Sequence, residues 1–147
     1  MENPVFDGGR PKTESKPKLF YRRIGRVWCP ALGEFIFFGR EGFQHIIRKH
    51  GIPRPQKDQR RRISLLPFAE MVIEDSGSKI VQRKQESARV IKFGEKEVSV
   101  PPADFWTLTK DFDGRTIAVV IRQFKGKPKH FFSVYDKKQK PAQRADF

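Results

Sequence analysis

The chain is poor in cysteine, in carboxylates and in long apolar runs, and each scarcity excludes something. A single cysteine, Cys29, permits no internal disulfide and leaves a thiolate zinc site without ligands. The 17 Asp and Glu face 31 Lys and Arg, a net charge of +14, and they are scattered through turns and polar stretches. That scatter argues against a carboxylate cluster holding magnesium, and Asp111 with Asp113 reads as turn chemistry. No apolar run approaches the roughly 20 residues of a spanning helix. The start, Met1-Glu2-Asn3-Pro4, is too polar for a secretory signal. The expectation is a cytoplasmic, cofactor-free protein that does not enter membranes and whose positive charge suits a polyanion.

What is present is aromatic and basic. Only 37% of the 147 residues are hydrophobic, yet fourteen are Phe, enough for one compact core. Residues 1–17 read as a flexible arm, residues 18–136 as one domain, and residues 137–147 as a flexible basic tail. Lys18 to Trp28 reads as extended. Pro30 and Gly33 make a turn before the apolar stretch Glu34 to Phe38.

Gly39 to Gly51 has helical spacing, with Phe43, Ile46, Ile47 and His50 on one stripe. His45, Arg48 and Lys49 fall on the wet face. Gly51 and Pro53 supply a stop signal that makes His50 a last-turn residue. Gly51 to Arg62 reads as a polar connector, and Ile63 to Asp75 as a second helix with Pro67 in its first turn.

The second half alternates. Lys79 to Lys84, Ala88 to Phe93, Glu97 to Val100 and Phe105 to Thr109 read as short strands. Asp113-Gly114 turns into a central strand, Thr116 to Ile121, and His130 to Tyr135 closes the sheet. Strict alternation puts Phe131, Ser133 and Tyr135 on one face of that last strand, and His130, Phe132 and Val134 on the other. The fold class is α+β, with N-terminal helices packed on one face of a mostly antiparallel sheet of four to five strands.

The three histidines are His45, His50 and His130. On a helix His45 and His50 project about 140° apart, the wrong geometry for a shared metal. Metal-free RNA cleavage fits the residue types better. It needs proton-transfer groups for the ribose 2′-hydroxyl and the leaving oxygen, and fixed cations around the phosphate. Histidine suits the first role and arginine's planar fork the second. His50, Arg122, Ser133 and Tyr135 are the candidate catalytic set. His45, Arg48, Lys49, Arg60, Arg61 and Arg62 are candidate RNA contacts. Each has a plainer reading: His50 reads equally as a helix cap, the basic residues as a solvated face, and Ser133 and Tyr135 as ordinary strand residues.

The order of His45-Ile46-Ile47-Arg48-Lys49-His50-Gly51, then Leu65-Leu66-Pro67 opening a helix that ends Val72-Ile73-Glu74-Asp75, then strands closing with Phe132-Ser133-Val134-Tyr135, resembles a known family. It is similar to the phage-associated branch of the barnase–EndoU–colicin–RelE superfamily of ribonuclease toxins, over roughly residues 34–136. The resemblance implies a metal-independent endoribonuclease with helices against an antiparallel sheet and a site across the sheet beside a helix end. It places the helix-terminal histidine at His50, the final-strand hydroxyl at Ser133 and, more loosely, the strand-borne basic residue at Arg122. The resemblance leaves substrate choice open; taken with the charge, the expectation is a toxin-like ribonuclease acting on tRNA or rRNA, with an acidic antitoxin or immunity protein as partner. The rival from composition alone is a non-catalytic RNA-binding or ribosome-associated protein, which needs the charge and aromatics but not His50.

Overall fold

The computed structural model describes residues 16–49 and 51–137. The fold is α+β. In chain order the elements are α1 (Lys16–Ile24), β1 (Arg26–Cys29), β2 (Glu34–Phe37), α2 (Arg40–Ile47), β3 (Arg48–Lys49), β4 (Ile52–Pro53), α3 (Gln56–Ser64) and α4 (Leu66–Glu74). There follow β5 (Lys79–Glu86), β6 (Arg89–Phe93), β7 (Lys96–Val100), β8 (Ala103–Phe112), β9 (Arg115–Phe124) and β10 (His130–Asp136).

The main sheet has six strands, in the order β1-β2-β10-β9-β8-β5, against the four or five expected. The extra strands come from the β1–β2 hairpin, which also separates α1 from the other helices. Lys18 to Ile24 is helical where an extended segment was expected, because Tyr21 points inward and the helix runs to Gly25 at φ +66. Pairing is antiparallel except at one contact, where Phe37 of β2 lies beside His130 of β10 in parallel sense. The Asp113-Gly114 turn joins β8 to β9 with φ of 47 and 84, the backbone of a tight type I′ hairpin.

One face of this sheet, here the inner face, carries Trp106, Leu108, Ile117, Val119, Ile121 and Phe131 into the core. There α4 covers it: Leu66, Ala69, Val72 and Ile73 are buried, Phe68 packs edge-on against Phe112, and Asp75 pairs with Lys110. The pattern Val27, Cys29 and Ile36 continues the inner face across the hairpin. At one margin α2 presses against β10. A side chain at Gly42 would stand 2.5 Å from the Phe131 carbonyl oxygen and 2.5 Å from the Tyr21 hydroxyl, so only glycine allows this approach. Tyr21 donates its hydroxyl proton to the Gly39 carbonyl at 2.6 Å, tying α1 to the start of α2.

The expected helix from Gly39 to Gly51 is shorter. It ends at Ile47; Arg48 is extended (φ −134, ψ 155), and Arg48–Lys49 pair with Ile52–Pro53 in a small hairpin. Gly51, at φ +81, serves that turn instead of a helix cap. The reason lies downstream. Arg54 donates its Nε–H to the His45 carbonyl and its backbone N–H to the Ile47 carbonyl, satisfying the helix end from outside. His50, expected in a last helical turn, lies outside the described residues. The expected polar connector contains α3, held by Asp58 with Arg54, Arg61 and Arg62 around it.

Candidate functional site

The second face of the sheet is set by register. Arg26 pairs with Phe37, Phe37 with His130, His130 with Arg122, Arg122 with Phe105, and Phe105 with Lys84. Directly paired residues point to one side of a sheet, so cations and aromatics form a single row across all six strands.

Strand β10 reaches this face through a bulge at Phe132. Phe131 pairs with Ile121 but Ser133 with Val120, so one residue is extra. In such a bulge two successive side chains share a side. Phe132 accordingly turns away from the core onto His45, Phe105 and Arg122. Strict alternation is thereby overturned: Phe131 and Val134 are both in the core, while His130, Phe132, Ser133 and Tyr135 share the second face.

Above this face α2 presents Glu41, Gln44 and His45. Together with Arg48, Gly51, the Ser99-Val100-Pro101 segment, Arg122, Phe124 and Phe132 they enclose a cleft of about 420 Å³. The His45 ring stacks on Phe132 at 4.1 Å between centroids and 24° between planes. His45 Nε2 lies 3.5 Å from Arg54 Nη2. An arginine only donates, so a hydrogen bond there requires that nitrogen unprotonated.

Arg122 is the most constrained cation of the site. It donates from Nε to His130 Nε2 at 2.9 Å and from Nη2 to Glu41 at 2.7 Å, with the Phe124 and Phe132 rings 4.4 Å from its guanidinium carbon. Burial lowers its affinity for the proton, and Glu41 works the other way. His130 accepts from Arg122 and is therefore neutral at Nε2. Burial first, and Arg122 second, push its pKa below the ordinary histidine value. His130 is thus a holder of Arg122.

The predicted residues separate into groups. His45, Arg48 and Arg122 line the cleft. Ser133 pairs one rung away, opposite Val120, is buried, and accepts a hydrogen bond from Arg62 Nη1 at 3.2 Å. Tyr135 lies a further rung along, opposite Ala118, and burial raises its phenol pKa. Neither lines the cleft. Lys49 borders a second cleft with Ile52, Pro53, Arg54, Pro55 and Asp58. Arg61 is exposed and donates to Asp58, Arg60 is exposed on α3, and Arg62 reaches back toward Ser133.

Residues absent from the sequence reading join these groups. Arg54 and Asp58 link Ser133 to His45 through Arg62, by contacts of 3.2 to 3.5 Å. Burial works against the Asp58 carboxylate, but Arg61, Arg62 and Arg54 outweigh it and hold its pKa below the ordinary value. The readable signal was the spacing of Asp58 to Arg61 and Arg62, three and four residues on. Glu41 had no such signal, since its partner is 81 residues away.

Among the described residues no three His, Cys, Asp or Glu gather closely enough to hold a metal ion. No helix among them is long and apolar enough to cross a membrane. Comparison with family models, curated proteins and solved structures finds no match.

Proposed function

We propose that the protein is a metal-independent endoribonuclease that engages the RNA backbone in the cleft between α2 and the β9–β10 strands. The observation that carries this reading is the convergence of Arg48, His45 and Arg122 on one cleft, beside Phe132. Arg122 supplies a fixed guanidinium whose geometry suits phosphate oxygens, held by His130 from behind. An incoming phosphate takes the place of the Glu41 carboxylate on the same nitrogen. Arg48 adds charge at the cleft mouth. Proton transfer from the ribose 2′-hydroxyl falls to His50, which follows Lys49 in the chain, or to His45 once Arg54 gives up its Nε2. Ser133 and Tyr135, one and two rungs along, lie outside the cleft, and with Ser133 buried against Arg62 neither is given a contact with the bound phosphate. tRNA or rRNA is the substrate class, and an acidic protein would mask the same face.

The test is cleavage of total tRNA and rRNA by purified protein in EDTA, comparing wild type with His45→Ala, His50→Ala and Arg48→Ala. The expected result is cleavage that survives EDTA and leaves 2′,3′-cyclic phosphate ends. Loss of the proton-transfer histidine lowers the rate on the order of 10²- to 10⁴-fold. Salt-sensitive binding without cleavage would replace the enzyme by an RNA-binding module. Absence of both would end the RNA reading.

A further inference from the structure

The β1–β2 hairpin breaks the usual rule for a sheet margin. Its inner positions Val27, Cys29 and Ile36 are buried, so the opposite positions should be polar. They are Arg26, Trp28, Phe35 and Phe37. Trp28 is 47%, Phe35 38% and Phe37 40% exposed. Three large aromatics on one outward surface form a patch that solvent alone does not explain.

The register identifies the occupant. Phe37 sits directly beside His130, and His130 beside Arg122, so the aromatic patch and the cleft lie on the same side of the same sheet. Phe124 bridges them, lining the cleft and packing 5.7 Å from the His130 ring. The cations fall between aromatics: Arg26 stacks over Phe35 at 4.2 Å, and Arg122 stands between the Phe124 and Phe132 rings. None of the four outward hairpin positions is acidic. Glu34, the hairpin's carboxylate, is on the inner face and paired with Lys129. Six strands at about 4.8 Å give a row on the order of 24 Å long.

We infer that the Trp28, Phe35 and Phe37 surface is a base-stacking platform for single-stranded RNA, continuous with the cleft and carrying the nucleotides to one side of the bound phosphate. It rests on the RNA reading of the cleft and gives that reading its substrate class. Aromatic rings on a strand surface stack unpaired bases whatever their sequence, while interspersed arginines follow the backbone. Bases in a duplex have both faces stacked on their neighbours and offer none to outward rings, so the platform selects for strand character.

The test uses the full chain with a fluorescein-labelled single-stranded RNA decamer and the duplex of the same sequence. Wild type binds the single strand at least about tenfold more tightly. Trp28→Ala with Phe37→Ala weakens that binding about 10- to 100-fold and leaves duplex binding unchanged. Trp28→Phe with Phe37→Tyr keeps the single-strand preference, and equal melting temperatures establish that all three proteins fold. RNA-induced quenching of tryptophan fluorescence disappears in Trp28→Phe, because Trp106 is buried.

Unchanged single-strand affinity in the double alanine variant, with affinity lost in Arg48→Ala, overturns the platform and leaves the cleft reading standing. Failure of wild type to bind either RNA overturns both. A wild-type dimer in solution that the double variant abolishes makes this surface a protein interface and also overturns the platform.

Discussion

Replacing Gly42 by alanine tests the seat of α2, on which the candidate site depends. In an exposed helix this change stabilises by about 1 kcal/mol. Here the new methyl would stand 2.5 Å from the Phe131 carbonyl oxygen and 2.9 Å from its ring, against an ordinary contact of 3.4 Å or more. The carbonyl belongs to a strand paired with β9 and cannot yield, so α2 must retreat by about 0.9 Å, the difference between 3.4 and 2.5 Å. Phe43 and Ile46, both buried on that side of α2, together contribute roughly 3 to 6 kcal/mol through burial. A gap of this size forfeits about a quarter to a half of the packing attraction, or roughly 1 to 3 kcal/mol. The bond from Tyr21 to Gly39 adds about 1 kcal/mol, and the helix gain offsets about the same. The expected net loss is about 2 kcal/mol by urea denaturation. Gly39→Ala is the control, since nothing lies within 4 Å of that position. A Gly42→Ala protein as stable as wild type would refute the packing of α2 on β10, and the cleft built above it.

Three further outcomes follow from the same contacts. Because His130 is held neutral when folded, the unfolded chain gains a proton below about pH 6.5 that the folded chain refuses, and stability falls with pH from there. His130→Gln, which keeps an acceptor for Arg122, should lose less melting temperature than wild type between about pH 7.5 and about pH 5; equal losses would discard the assignment. Asp58→Asn leaves Arg54, Arg61 and Arg62 uncompensated and should cost roughly 1.5 to 3 kcal/mol in denaturant unfolding, against near neutrality if the cluster is only a surface array. Glu41→Gln releases Arg122 and should tighten RNA binding about two- to fivefold, with under about 1 kcal/mol lost in stability. Weaker binding would mean that Glu41 contacts the ligand favourably.

Legibility in the sequence followed the range of the interactions. The second-half strands and the Asp113-Gly114 turn were readable, since alternation and turn chemistry are local. The helix Leu66–Glu74 was readable for the same reason, with Pro67 opening it. The end of α2 was not: helical periodicity continues past Ile47, and the chain leaves it because Arg54 takes the terminal carbonyls. Helix α3 was hidden because it buries no residue fully and is held by charges, not an apolar stripe. At the site, Arg122, Arg48 and His45 were found from residue type alone. Glu41 lies 81 residues from Arg122; His130 and Arg54 are only eight and nine residues from Arg122 and His45, but a hairpin and a turn bring them there, and a bulge that reverses alternation leaves no mark in composition.

That bulge makes Phe132 a residue the ladder does not count. On one side of it the paired positions are His130 with Arg122 and Phe131 with Ile121; on the other they are Ser133 with Val120 and Val134 with Val119. Deleting Phe132 would join Phe131 directly to Ser133, whose partners Ile121 and Val120 are already neighbours, and so restore an unbroken ladder. Every other residue of the strand would keep its partner and its side. The core would be indifferent to the loss, while the cleft would forfeit the ring between His45 and Arg122. Loss of one residue at this point would therefore remove a wall of the site while every strand pairing stays as it is, so length as well as substitution sets the shape of the cleft.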